Sequence, residues 1–146
     1  HYGEAACYKT MDELWECELI PFISGIQAGA DFIMMAHIVL PYVVDDFTPA
    51  SLSYTITTKL LREELGYQGI IITDALNMGA ILNNYSSSEA AVLAIEAGAD
   101  ILLMPNNPYS ALDGVLEAVE DGRISEERID ESVRRILNHK YENGIL

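Results

Sequence analysis

The sequence predicts an α/β fold in which helices alternate with the strands of a parallel sheet, and three observations predict it. Gly69-Ile70-Ile71-Ile72-Thr73 is a β-branched run with no polar interruption, the pattern of a strand covered on both faces. Ala28-Gly29-Ala30-Asp31-Phe32-Ile33-Met34-Met35 returns as Ala97-Gly98-Ala99-Asp100-Ile101-Leu102-Leu103-Met104. Each copy reads as a helix stopped by glycine, then a tight turn into a buried strand, with Asp31 and Asp100 as turn residues. Helix-entrance signals stand between these strands, and such alternation implies right-handed crossovers.

Taken in order, Thr10 with Glu13 forms a capping box before a helix whose Trp15, Leu19, Phe22, Ile23 and Ile26 recur at helical spacing. Pro21 should bend or restart that helix. A strand follows at 32–38. Thr48 before Pro49 reads as an N-cap with proline at the first helical position, Phe47 stapling to Leu52 and the helix running to about Leu65 before Gly66. After the strand at 69–73, Ser86 with Glu89 forms a second capping box leading to Ala97, and a strand at 100–104 comes next. Asn107-Pro108 opens a helix that ends near Gly122. Ile124-Ser125 opens the last one, with Ile129, Val133, Ile136 and Leu137 on one face and Ile124 stapled to Ile129. The result is either an open three-stranded layer or the later part of a barrel of eight such units, a fold of typically about 250 residues.

Half of the 146 residues are hydrophobic, enough for one domain with a real core. Lys and Arg total 8 against 23 Asp and Glu, a formal charge of −15. That balance argues against a nucleic-acid or anionic-membrane partner, both of which demand a basic face, and reads most simply as a solvated acidic surface. The longest apolar run, Phe32 to Val44, contains His37 and Pro41 and is too short for a membrane span. No signal peptide is visible, and the chain opens with His1 rather than Met, so a true N-terminus is expected upstream. Cys7 and Cys17 form no metal-ligand spacing, and His1, His37 and His139 lie far apart, so neither metal nor cofactor is expected.

One carboxylate, Asp74, is placed where the most buried strand stops. In barrels of alternating strands and helices, the C-terminal strand ends carry the chemistry. Asp74 is therefore a candidate active-site group, while local sequence alone favours a cap of the next helix. His37 stands at another strand end as a candidate substrate contact, or as a satisfied buried histidine. Met78 is a candidate to pack near a bound ring, or core filler. Asn77 reads as a turn residue, and Asn84-Tyr85-Ser86 matches the glycosylation acceptor pattern, a common one.

The chain resembles the C-terminal part of the barrel domain of glycoside hydrolase family 3, especially its β-N-acetylglucosaminidase branch. The likeness runs through His1-Tyr2-Gly3, then Gly29-Ala30-Asp31 to Met35-Ala36-His37-Ile38 with Pro41, similar to the family's sixth strand. Leu61-Arg62-Glu63-Glu64-Leu65-Gly66-Tyr67-Gln68-Gly69 leads into Ile72-Thr73-Asp74-Ala75-Leu76-Asn77-Met78, which looks like the nucleophile segment. Gly98-Ala99-Asp100 to Met104-Pro105 is similar to the eighth strand, and Ile129 to Leu137 to the closing helix. The resemblance implies a single partial (β/α) barrel domain over residues 1–146, lacking the N-terminal strands of the full fold. It also implies that Asp74 is the nucleophile of a retaining β-N-acetylhexosaminidase, facing a sugar-sized hollow. Ala75 stands where many relatives carry a second acid.

The acid/base group that the family places on a Lys-His-Phe-Pro-Gly-His-Gly-Asp loop has no counterpart here. Asp45, Asp46 and Glu89 read more simply as loop or helix-entrance residues. The chain by itself is therefore expected to hydrolyse glycosides poorly or not at all. The implied substrate is an N-acetylglucosamine-containing glycan of the cell-wall type. A family member acting on β-glucosides or xylosides, and a non-catalytic half-barrel that binds sugar or a partner chain, are the alternatives. Unpaired strand edges and interior side chains left in water predict self-association or pairing with the missing half. The resemblance implies a bacterial protein, outside the cell or on its surface before the cytoplasm.

Overall fold

The computed structural model describes residues 5–44 and 47–146, so His1-Tyr2-Gly3 and the pair Asp45 and Asp46 lie outside the described residues. Strand β1 (Ala5–Ala6) leads to helices α1 (Met11–Glu16) and α2 (Leu19–Gln27), then β2 (Phe32–Met35) and β3 (Ile38–Val39). A 3₁₀ turn (Ala50–Leu52) and a π-helix (Thr55–Glu64) precede β4 (Ile70–Thr73). Helices α3 (Gly79–Leu82), α4 (Ser87–Ala97), α5 (Pro108–Glu120) and α6 (Glu126–Glu142) complete the order.

The expected capping boxes and caps account for most helix starts. Thr10 and Glu13 bond reciprocally at the head of α1. Ser86, Asn107 and Ser125 accept from the amides of Glu89, Ser110 and Arg128. Only half of the second box forms, because the Glu89 carboxylate turns to Arg123 instead, at 3.1 and 3.2 Å. The break between α1 and α2 falls at Cys17 and Glu18, ahead of Pro21. Pro21 thus occupies the first turn of α2, where a missing N–H costs nothing.

The helix expected from Pro49 starts later and is wound differently. Pro49 keeps an extended ψ of 144°, and Phe47 is 67% exposed rather than stapled to Leu52. The π-winding shows in the Leu65 N–H, which reaches the Leu60 carbonyl at 2.9 Å. Two of its threonines tie it to neighbouring segments: Thr57 Oγ1 donates to the Ala50 carbonyl in the 3₁₀ turn and Thr58 Oγ1 to that of Ala97 at the end of α4.

β2 and β4 pair in parallel with Phe32 opposite Ile70 and Met35 opposite Thr73. The expected strand 32–38 is cut after Met35: the Asp74 amide still makes the last rung of the ladder to the Met35 carbonyl, but the Ala36 carbonyl accepts from the Ser51 amide instead. β3 pairs instead with β1, a strand with no sequence signal. The expected strand 100–104 reduces to one parallel bridge, Ile101 with Ile72. Its next amide, that of Leu103, is captured by the Thr73 hydroxyl at 3.0 Å rather than by a carbonyl, which ends the ladder.

One face of the β2–β4 pair, Ile33, Met35 and Ile71, packs with Ile56, Leu61, Ala90 and Ala94 into the main core. The other face leaves Phe32 and Met34 about half exposed, at 46% and 52%. A second cluster joins Val92, Ala118 and Ile124, with Ile129 against it as the staple requires. Val133 and Leu137, expected on the covered face of α6, are 45% and 48% exposed.

At the start of the strands, Asp100 is far more than a turn residue. Its side chain is fully buried. Oδ2 accepts from the Ile71 amide at 2.9 Å and from Arg62, while Oδ1 accepts from Ser132 Oγ at 2.7 Å and Arg135 at 2.9 Å. Arg128 stands 4.0 Å away and donates to the Ala99 and Ile95 carbonyls. Burial pushes the guanidinium groups of Arg62 and Arg128 below their ordinary range, opposed by the attraction of Asp100. This cluster ties the π-helix and α6 to the base of β4. Asp31, by contrast, has a side chain that is 64% exposed and faces His139 at 3.6 Å.

Tyr67 closes the same region, with its hydroxyl donating to the Ile70 carbonyl at 3.2 Å. Burial pushes its phenol up from 10.0 to about 12. The folded state therefore holds a proton that the unfolded chain releases near pH 10, so this stability is complete below pH 10 and is lost as pH rises toward 12. Denaturant melts across that window are expected to show wild-type stability falling more steeply than that of Tyr67→Phe.

Candidate active site

The strand end that carries Asp74 is fixed by four backbone hydrogen bonds. The Thr73 and Asp74 amides donate to the Ile101 and Met35 carbonyls at 3.1 and 2.9 Å, so neighbours on both sides grip the end of β4. The Leu76 amide donates to Leu103 O at 2.9 Å and the Met78 amide to Ala75 O at 3.1 Å, folding residues 74–78 into a turn ahead of α3. Asp74 is partly exposed at the lip of this turn, and its Oδ1 accepts from the Ala75 amide at 2.7 Å. Asp74 does not cap α3, whose N-cap is Met78.

His37 is brought to the same turn. Its Nε2 lies 3.0 Å from the Ala75 carbonyl oxygen and its Nδ1 2.7 Å from Ser51 Oγ. The ring is 5% exposed, and both nitrogens are taken up by the protein. Met78 is half-buried at the start of α3, where its carbonyl accepts from the Ile81 and Leu82 amides. Asp74, His37 and Met78 therefore meet around one residue, Ala75.

Glu89 stays outside this group, on the outer surface with Arg123 and Glu96. Two cavities lie elsewhere. An apolar one of about 260 Å³ runs among Leu14, Phe22, Ile33, Ile56 and Leu61, on the helix-covered face of β2. A polar one of about 450 Å³ opens at the strand starts between Asp31, Tyr67, Arg135 and His139. Asp74 lines neither, so the sugar-sized hollow expected above it is not one of these two. Cys7 and Cys17 are both free thiols. No helix of the described residues is long and apolar enough to cross a membrane.

Sequence reasoning missed Ser51, and nothing in the sequence marks it. It is fully buried, fourteen positions from His37, and its partnership depends on the 3₁₀ turn that replaced the expected helix start. It also missed the hydroxyl of Thr73, whose signal was available: threonine is the one polar residue inside an otherwise apolar strand.

A protein-family model described as the glycosyl hydrolase family 3 N-terminal domain matches residues 1–139. A β-hexosaminidase A from Pseudoalteromonas piscicida is 33% identical over 160 residues, taking in 96% of this chain and 27% of that protein. The solved family 3 β-N-acetylglucosaminidase from Paenibacillus sp. str. FPU-7 is similar with a TM-score of 0.94 at 43% identity, covering 99% of this chain and 28% of that one. A β-glucoside phosphorylase structure is similar with a TM-score of 0.87 at 29% identity, covering 94% and 26%. The chain spans less than a third of the length of each of these proteins. With its helices alternating with parallel strands and the family model running through nearly all of it, the chain belongs to glycosyl hydrolase family 3, through that family's N-terminal domain.

Proposed function

We propose that the chain supplies the nucleophile side of a retaining β-N-acetylhexosaminidase site. The observation that carries this reading is Asp74, a partly exposed carboxylate on a strand end gripped from both sides. One of its oxygens attacks the anomeric carbon as the glycosidic bond breaks, giving a covalent glycosyl-enzyme ester that water then hydrolyses. The leaving oxygen takes its proton from an acid group that this sequence does not carry at a matching motif. Met78, at the other end of the turn, packs against the sugar ring. A rigid backbone suits this work, because misplacing the carboxylate by an ångström costs the attack geometry.

The finer architecture belongs to the same reading: residues 1–146 form the later portion of a (β/α)₈ barrel, as one partial domain. Support comes from the half-exposed Phe32 and Met34, which share the face of β2 opposite the core residues Ile33 and Met35, the side that a closed barrel turns to its interior. Those side chains and the outer edge of β2 then pair with the remaining barrel strands or with a second copy. Sedimentation is expected to show species larger than a 16.1 kDa monomer, and a single monomeric boundary at high concentration would contradict this.

A second reading keeps the chemistry and changes the sugar to glucose or xylose, and the likeness to a β-glucoside phosphorylase favours it. Chromogenic β-N-acetylglucosaminide and β-glucoside substrates separate the two. Release from the acetamido sugar alone supports the first, and release from the glucoside alone supports the second. Rates with a poor leaving group are expected to fall far below those with dinitrophenolate, because only the poor one needs an acid. Equal rates for both would overturn the missing-acid reading.

A further inference from the structure

His37 is held between two elements in a way that points through Ala75 to Asp74. A carbonyl oxygen only accepts, so the 3.0 Å contact with Ala75 O assigns the ring proton to Nε2. Nδ1 then accepts from the Ser51 hydroxyl at 2.7 Å, and the Ser51 amide donates in turn to Ala36 O at 3.2 Å, beside His37 itself. Ala75 O takes a second bond from the Met78 amide, and the Ala75 N–H donates to Asp74 Oδ1. Ala75 is thus fixed at both its carbonyl and its amide, and the amide end holds the carboxylate.

We propose that His37 is a positioning residue: the Ser51–His37 pair locks the Ala75 backbone, and the locked amide holds the Asp74 carboxylate in one rotamer. This rests on the reading of Asp74 as nucleophile. Imidazole suits the task because it is a rigid plane with a donor on one side and an acceptor on the other. At 5% exposure for His37 and full burial for Ser51, water does not compete for either bond. Both ring nitrogens are spent on the protein, so His37 acts through the turn rather than by touching sugar.

The test uses the chain itself and needs no turnover. Three-bond couplings across χ1 of Asp74 are expected to report one rotamer in the wild type and averaging in His37→Phe. Hydrogen exchange at the Ala75 amide is expected to rise about tenfold in His37→Phe, while the Ile71 amide, held by Asp100, stays unchanged. His37→Gln, whose amide offers a donor and an acceptor, should restore most of both signals. Ser51→Ala, a smaller change, should loosen Ala75 in the same direction and carries the test if His37→Phe fails to fold. A single Asp74 rotamer with an undisturbed Ala75 amide in these variants would overturn the inference, as would equal loss of protection at Ala75 and Ile71. Covalent labelling by a 2-fluoro glycoside tests the nucleophile reading separately, since neither of these signals depends on it.

Discussion

Asp100→Ala is expected to destabilise the fold by about 3–5 kcal/mol, the cost of breaking a buried ionic cluster from one side. The loss is electrostatic more than a matter of bond number. Arg62, Arg128 and Arg135 converge on this one carboxylate, and its removal leaves cationic groups with side-chain exposures of 12%, 19% and 28% facing one another. It also strips the Ile71 amide and the Ser132 hydroxyl of their acceptor. For a domain of this size the loss corresponds to a fall in melting temperature of roughly 6–20 °C. Asp100→Asn should sit between the two, keeping an oxygen for Ile71 but losing the charge. Calorimetric melts of the three proteins check this, and a loss under about 1 kcal/mol for Asp100→Ala would show that the cluster contributes no more than a surface pair.

Asp74→Asn is expected to have the opposite profile, an intact fold without chemistry. The amide oxygen of Asn can still accept from the Ala75 N–H, so melting should shift by no more than about 0.5 kcal/mol. Being neutral, Asn cannot form the glycosyl ester. Hydrolysis of a dinitrophenyl N-acetylglucosaminide is expected to drop on the order of 10⁴-fold, into the uncatalysed background. The activated leaving group matters, because it departs without a proton and so reports on the nucleophile alone. A variant that kept wild-type hydrolysis would remove Asp74 from the mechanism.

The elements that sequence made legible are those set by local chemistry. The caps at Thr10, Ser86, Asn107 and Ser125 form because a side-chain oxygen needs only an amide three residues on. Gly66 and Gly98 end helices because they sit at φ of +69° and +116°, which other residues rarely adopt. The buried strand at Ile70–Thr73 follows from its unbroken apolar run. What escaped the sequence was set by partners far along the chain. The split of strand 32–38, the single bridge at Ile101 and the pairing of β1 with β3 each depend on which acceptor a distant donor reached.

The candidate site divides along the same line. Asp74 was legible because a strand end is a local feature. The grip of Met35 and Ile101 on that end, and the Ser51–His37–Ala75 chain beside it, join positions up to 39 residues apart (Met35 to Asp74) with no spacing rule to betray them. Asp100 was visible only as a turn residue for the same reason: its arginines come from the π-helix and from α6, on opposite sides of it in sequence.

The most direct test exposes the protein to a 2-fluoro glycoside with a dinitrophenolate leaving group and maps any adduct by peptide mass spectrometry. The fluorine slows hydrolysis of a glycosyl ester, so an enzyme of this type accumulates it. The expected result is one sugar increment, on the peptide holding Asp74 and absent from Asp74→Asn. An adduct on a different carboxylate, or an unmodified Asp74 after prolonged exposure, would contradict the assignment of this strand-end aspartate as the nucleophile.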